Sequence, residues 1–323
     1  MSEALLRVRG LTKYFGGGGV FRRGPLVHAV EDVSLDVMRG EVLGLVGESG
    51  SGKTTIARCA LRLMEPTAGA ISFAGNDLRR LPSKQLKVLR RRMQYIFQDP
   101  FGSLSPRMTV AGILTEGLVI QGIGSRSEQR DRALDALAAV ELPADSMSRY
   151  PHQFSGGQRQ RLGIARALVL RPDFLVADEP VSALDVSIQA QIINLLRGLR
   201  QRMGLTMLFI SHDLAVVEYL SDRVAVLYLG RIMELAPTAA LYEAPRHPYT
   251  KALMAAVPVP DPGAPHRAAL LRGDIPNPAN PPPGCVLHTR CPFAIADCRR
   301  SVPPLREVAP GHFKACLRDD LTE

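Results

Sequence analysis

Tryptophan is absent from the 323-residue chain, and aromatic residues as a whole make up only 5% of it. So few rings, with no basic–aromatic interleaving, argue against a base-stacking platform for single-stranded nucleic acid. No apolar stretch approaches the roughly eighteen residues that a bilayer-crossing helix needs. Long blocks of one charge sign are also missing. The net charge is +9, but the arginines are scattered and the densest cluster is Arg90-Arg91-Arg92. That pattern reads as solvated faces, and no nucleic-acid partner is expected. The opening residues MSEALLRVRG lack the basic-then-apolar layout of a secretory signal, so a cytosolic chain is expected. Cysteine is scarce at five residues, and four of the five crowd into the last forty positions or so. No internal repeat is present. What remains is 46% hydrophobic and 22% charged, which suits one large core with a smaller appended unit.

Three regions follow one another. Up to about residue 75, short apolar strands alternate with turns: LLRVRGL, HAVEDVSLDV, EVLGLVG and AGAISFAG. The stretch FGGGGVFRRGP between the first two reads as a surface loop. From about 84 to 170 the periodicity is helical, as in RDRALDALAAV. Two β-rich runs, DFLVADEP and TMLFISHD, then flank the helix VSIQAQIINLLRGLRQRMG. Strand–helix alternation of this kind predicts an α/β fold with a parallel sheet. Beyond about residue 240 proline becomes dense, NPANPPPG cannot be helical, and the tail reads as a separate small unit.

The sharpest signal is GLVGESGSGKTT, which lies between an apolar strand and the helix TTIARCALRLM. Gly47, Gly52, Lys53 and Thr54 satisfy G-x-x-x-x-G-K-[ST] in the strand–loop–helix context that the motif requires. Ser49, Gly50 and Thr55 complete the cradle. Its glycines let backbone N–H groups face phosphate, Lys53 reaches the β and γ oxygens, and the Thr54 hydroxyl ligates Mg²⁺. In FLVADEP a buried strand ends on Asp178, placed to hold Mg²⁺ through water, and Glu179, the natural general base for a hydrolytic water. These parts define a P-loop NTPase.

A second helix entrance, in HQFSGGQRQRLGIARAL, poses a separate question. Leu162, Ile164, Ala165 and Leu168 make one side apolar, while Arg159, Arg161 and Arg166 carry charge. Glycines at a helix start cost backbone entropy and expose amides that attract phosphate. FSGGQRQR together with DEPVSALD and FISHD resembles the ATP-binding cassette superfamily. The resemblance implies a RecA-like core with an antiparallel β subdomain and a helical subdomain at about 99–170. It also implies that Ser155, Gly156, Gly157 and Gln158 bind the γ-phosphate of ATP held by a second cassette. Phe154 stands where leucine is commoner. By the same resemblance Gln98 senses Mg²⁺ and the attacking water, and Ser182 to Asp185 link the two composite sites. His212 is the switch histidine at the γ-phosphate, and Phe15, or its neighbour Tyr14, stacks on adenine. Glu179 and His212 are both present, so ATP hydrolysis is expected.

No heptad run fills the roughly hundred residues between the phosphate loop and the signature, which favours a transporter over a DNA-repair cassette. A single cassette likewise speaks against the ribosome-acting types. In the tail, APRHPYTKALMAAVP resembles the C-terminal extension of the oligopeptide/dipeptide importer ATPases, and the FGGGGVFRRGPLVHAV insertion fits their second ATPase. The resemblance implies a cassette over residues 1–240 and an extension over 241–323. It implies a second ATPase as heterodimer partner, two membrane permease subunits and an extracytoplasmic peptide-binding protein. It places the chain peripherally on the cytoplasmic face of the inner membrane, with Asp99 to Glu116 against a permease coupling helix. Nickel and glutathione importers share the pattern. Cys59, in the helix after the phosphate loop, reads as a buried small residue. Cys285, Cys291, Cys298 and Cys316 are spaced C-x5-C-x6-C-x17-C. Reducing cytosol argues against disulfides, and structural zinc usually uses a C-x2–4-C pair, which is missing. Cys291-Pro292 resembles the Cys-Pro step of iron–sulfur ligation. Some peptide-importer relatives carry a [4Fe–4S] cluster in this extension, so a cluster, zinc or no metal all stand as readings of the four cysteines.

Overall fold

The structure is a computed structural model that describes residues 3–16, 25–256 and 271–321. Part of the insertion after Phe15 lies outside the described residues. The chain divides into two compact units, one of Met1–Leu5, Val37–Val42 and Phe73–Ile210, the other of Leu6–Asp36, Leu43–Ser72 and Ser211–Glu323.

The second unit holds most of β1 (Ala4–Phe15), β2 (Val27–Met38) and β4 (Ala68–Phe73), and nearly all of β3 (Val42–Val46). These are the four strands expected before residue 75. Every residue of β3 is buried, as expected of a strand covered on both faces. It pairs in parallel with β9 (Arg223–Tyr228), with Leu43 opposite Arg223 and Val46 opposite Val226. β9 then turns into the antiparallel β10 (Arg231–Pro237). β11 (Arg306–Ala309) and β12 (His312–Lys314) come from the tail, and β12 pairs antiparallel with β10, Glu234 opposite Lys314. The tail is therefore not the separate unit that its proline content suggests, because its last strands extend a cassette sheet. α1 (Lys53–Ala60) follows the phosphate loop and buries Cys59, whose thiol is pushed up to about 11 by burial.

The first unit carries β5 (Asn76–Asp77), β6 (Met93–Ile96), β7 (Phe174–Asp178) and β8 (Thr206–Ile210). β7 is fully buried and runs parallel to β6 on one side and β8 on the other. β6 interrupts the region from about 84 to 170 where the pattern is helical: four residues are too few to show a period of two, yet Tyr95 sits opposite Val176 in the sheet. The helical expectation holds elsewhere, in α2 (Ser83–Arg90), α3 (Pro100–Ser103), α4 (Val110–Gln121), α5 (Arg126–Ala139) and α6 (Gly156–Leu168). α7 (Val186–Met203) begins on an Asp185 cap and stops at Gly204 in the left-handed conformation. Leu162, Ile164, Ala165 and Leu168 of α6 are all buried, and each large apolar side chain so placed is worth about 1.5–3 kcal/mol. Among the described residues no helix is long and apolar enough to cross a membrane.

The HPYT stretch is explained by capping. His247 starts α10 (Pro248–Ala255), which follows α8 (Leu214–Leu220) and α9 (Thr238–Glu243); its Nδ1 accepts from the Tyr249 amide at 3.1 Å. Burial lowers the His247 pKa to about 4 against the opposing charge of Glu234, so the ring is neutral and can accept. Glu234 itself is fully buried and receives the amides of Arg246 and His247 at 2.6 and 3.1 Å. His312 of β12 meets its Oε1 at 2.6 Å, which locks the tail strand to β10.

Candidate nucleotide site

The phosphate loop needs glycine for reasons of space. A Cβ at Gly47 (φ 152°) would lie 2.2 Å from the Leu227 carbonyl oxygen, and one at Gly52 (φ 101°) 2.3 Å from that of Ala29. Ser49 and Gly50 form the exposed crest. Lys53 is only 6% exposed, and its Nζ donates to the carbonyls of Gly47 at 2.8 Å and Glu48 at 3.1 Å. Thr54 and Thr55 follow on the first turn of α1 and are half-buried. Two aromatics were expected as alternatives over adenine, and their surroundings separate them. The Tyr14 hydroxyl donates to the Glu31 carboxylate, 2.9 and 2.8 Å from its two oxygens, and its ring lies 4.4 Å from that of His28. Phe15 is 37% exposed, with Lys13 Nζ 5.1 Å from its ring centre.

In the other unit β7 delivers the two acids. Asp178 is 2% exposed, and the Tyr95 hydroxyl donates to its Oδ2 at 2.5 Å. Nothing in the sequence singled out Tyr95; its alignment with Val176 across β6 and β7 is what brings it there. Glu179 takes a left-handed φ of 44°, an uncommon state for a residue with a Cβ and one that clusters at functional sites. Its Oε2 accepts from Gln98 Nε2 at 3.0 Å, so two sequence candidates 81 residues apart do meet. Thr54, Gln98 and Asp178 offer hydroxyl, amide and carboxylate oxygens, the hard donors that suit Mg²⁺.

At the second helix entrance a capping box forms. Ser155 Oγ accepts from the Gln158 amide at 3.4 Å, and Gln158 Oε1 accepts from the Ser155 amide at 3.0 Å. Such a box leaves the first two helical amides, those of Gly156 and Gly157, for another acceptor. A Cβ on Gly157 would lie 2.6 Å from Ile188 Cγ2, and one on Gly156 3.5 Å from Leu184, so the SALD segment packs on this entrance. Asp185 accepts from Ser187 Oγ at 2.7 Å and the Ile188 amide at 3.0 Å, which holds its carboxyl below the usual range. Ser182 Oγ donates to the Glu179 carbonyl at 3.1 Å. The three arginines of α6 point to its own surroundings: Arg159 to the Phe154 carbonyl at 2.9 Å, Arg161 to Glu141 at 2.6 Å, Arg166 to the Ser103 carbonyl. His212 is exposed, one residue before the Asp213 cap of α8, in the unit that carries the phosphate loop.

The comparisons with known proteins meet this geometry. Residues 30–182 match the ABC transporter family, and residues 233–298 match the family described as oligopeptide/dipeptide transporter, C-terminal region. A Brucella ovis protein named as a peptide import ATP-binding protein is 65% identical over 98% of both chains. The Bacillus subtilis oligopeptide transport ATP-binding protein AppF is 50% identical over 97% of both. The chain belongs to the ABC transporter family. Within it, the chain is an ATP-binding cassette subunit and an ATPase of the branch with the oligopeptide/dipeptide-type C-terminal region. The dimeric cassette MJ0796, solved in a post-hydrolysis state with ADP and Pi, is 30% identical at TM-score 0.64, covering 72% of this chain and 98% of its own. CbiO1 from Clostridium perfringens is 26% identical at TM-score 0.65, covering 75% of this chain and 91% of its own.

The tail cysteines form the remaining candidate site. Cys285 and Cys298 are buried, Cys291 and Cys316 half-buried, and none is in a disulfide. Burial pushes the Cys285 thiol up to about 11, and the charges of Cys298, Cys316 and Cys291 add to that, so the four lie within electrostatic reach of one another. Burial likewise raises Cys291 and Cys316. In each of these three the largest opposing influence is a backbone N–H two residues on, from Leu287, Phe293 and Arg318, joined at Cys291 by the charge of Arg318 and at Cys316 by that of Lys314. Among the described residues no three or more His, Cys, Asp or Glu side chains converge on one metal-ion position.

Proposed function

We propose that this chain hydrolyses ATP to power import of di- or oligopeptides. The observation that carries the substrate class is the pairing of two relatives named for peptide import and oligopeptide transport with the matching C-terminal region. ATP lies between the phosphate loop of one cassette and the Ser155–Gly157 entrance of a second, a different ATPase subunit. Phe15 stacks on adenine, Gly47 to Thr55 wrap the phosphates, and Lys53 and the partner's glycine amides neutralise the γ-phosphate. Thr54, Gln98 and Asp178 hold Mg²⁺, which supplies further neutralisation of phosphate charge. Glu179 accepts the proton of the attacking water, and Gln98, already bonded to it, orients that water. His212 contacts the γ-phosphate, and Asp185 with the SALD segment relays its presence between sites.

Two permease subunits and an extracytoplasmic peptide-binding protein complete the machine, which holds this chain on the inner face of the membrane. Reconstituted with them in proteoliposomes, it drives ATP-dependent uptake of labelled peptide. Uptake of nickel or glutathione in place of peptide would overturn the substrate reading. The coupling surface is Asp99 to Glu116, where Arg107 is exposed. Arg107→Glu is expected to lower peptide uptake by about tenfold or more while ATP affinity stays within about twofold, since a like-charge clash across a coupling interface costs several kcal/mol. Unchanged uptake would remove this segment from the interface.

For the cysteines the reading is a [4Fe–4S] cluster on Cys285, Cys291, Cys298 and Cys316. Four thiols lie within electrostatic reach of one another, three of them with a backbone N–H that offsets part of the burial cost of a thiolate, and a cubane accepts wider sulfur separations than one zinc ion does. Its role is that of a clamp on the tail. Because burial raises these thiols, metal must displace protons, and retention of metal falls as pH is lowered. Anaerobically purified protein is expected to carry about four irons per chain and a broad thiolate-to-iron absorbance, both lost in Cys298→Ser. A colourless, iron-free wild type would exclude the cluster.

A further inference from the structure

Glu48 follows Gly47 inside the phosphate loop, a position where the motif asks for no particular side chain. An acid there is electrostatically awkward, because its charge repels a triphosphate arriving at the same loop. The tail answers that charge. Arg290 donates from Nη1 to Glu48 Oε2 at 2.9 Å and from Nη2 to Oε1 at 3.2 Å, a two-pronged ion pair. The Arg290 side chain is 11% exposed and that of Glu48 27%, so water screens the pair only in part.

Tyr249, from the HPYT stretch, supplies a second hold. Its hydroxyl accepts from the Glu48 amide at 3.0 Å and lies 3.4 Å from Glu48 Oε2. Burial raises its pKa far beyond the physiological range, so the hydroxyl stays protonated. Tyr228 backs both groups, with its ring 4.8 Å from that of Tyr249 and 5.7 Å from the Arg290 guanidinium carbon. Arg290 sits on a tight turn whose Arg290 and Cys291 amides both donate to the Leu287 carbonyl at 2.9 Å. The Glu48 carbonyl, meanwhile, is one of the two that receive Lys53. Amide, carboxylate and carbonyl of one loop residue are thus fixed by two tail residues and the phosphate-binding lysine.

We propose that the C-terminal extension positions the phosphate loop through Glu48, with Arg290 and Tyr249 as positioning residues that set affinity for the ATP triphosphate. Arg290 does so in two ways: it orients the loop residue that anchors Lys53, and it cancels a carboxylate that would otherwise repel the phosphates. This deepens the nucleotide-site reading and rests on it.

The test is equilibrium titration of the purified full-length chain with a fluorescent ATP analogue, displaced by unlabelled ATP, with thermal melting of each variant alongside. Arg290→Gln is expected to weaken ATP binding about tenfold, the scale of one lost charge-assisted pair. Arg290→Gln with Glu48→Gln should recover most of that loss, because the repelling carboxylate is gone. A purely structural role would make the double variant no better than the single. Tyr249→Phe keeps ring and volume and is expected to weaken binding about threefold, which tests the clamp even if Arg290→Gln does not fold. Arg290→Gln or Tyr249→Phe binding ATP as wild type does, or a double variant as weak as Arg290→Gln, would overturn the proposal. A wild type that binds no better than Lys53→Ala would instead overturn the ATP site beneath it.

Discussion

Glu179→Gln is expected to lower ATP turnover by the assembled transporter by about two to four orders of magnitude, while ATP binding persists. The substitution keeps shape and removes only the ability to take a proton. Glu179 is held in place through both backbone and side chain. Its backbone is fixed in the left-handed region, its amide donates to the Ile210 carbonyl at 3.0 Å, and its carbonyl receives Ser182 Oγ at 3.1 Å. Its Oε2 receives Gln98. An amide at 179 could keep that bond by turning its oxygen to Gln98, so the site should stay assembled and the cassettes should remain closed on ATP. Phosphate release from the complex measures the first part, and an ATP-stabilised dimer on size exclusion the second. Turnover within about tenfold of wild type would move the general base elsewhere, Asp178 being a poor substitute because it is 2% exposed and bonded to Tyr95.

What could be read before folding was whatever is written locally. The phosphate loop, the helix entrance at Ser155–Gly157 and the buried strand before Asp178 each occupy a dozen consecutive residues or fewer, so local pattern alone reveals them. Gln98 entered only through family resemblance, since no local pattern marks a lone glutamine, and its bond to Glu179 belongs to the fold. Three features were out of reach for a common reason. Tyr95 reaches Asp178 across 83 positions, Arg290 reaches Glu48 across 242, and β12 reaches β10 through the pairing of Lys314 with Glu234. Periodicity carries information over one or two turns of helix or one strand, and pairings at these distances exist only once the sheet has formed. Proline density misled for a related reason. It forbids helix but says nothing against a short terminal strand joining a sheet edge.

Gly157→Asp is expected to abolish ATP hydrolysis by the assembled complex, a loss of about a thousandfold or more, yet leave ATP binding by the separate chain within about twofold. In the proposed arrangement the chain's own nucleotide is gripped by the Gly47–Thr55 loop, and Gly157 serves a second chain's nucleotide. There an aspartate would set a carboxylate beside phosphate charge at an entrance that glycine leaves bare. The side chain also needs room that Ile188 occupies, at 2.6 Å from the nearest Cβ position. Relief of that overlap costs about 1–3 kcal/mol, which a melting curve would register as a modest shift. Ser155→Ala separates the two effects. It removes the cap that receives Gln158 and costs about 1 kcal/mol, with no new bulk or charge. If ATP-dependent dimerisation survives Gly157→Asp at wild-type strength, the second phosphate site is not at this helix entrance. If it fails in Gly157→Asp and weakens in Ser155→Ala, the two glycines serve a nucleotide held by another subunit.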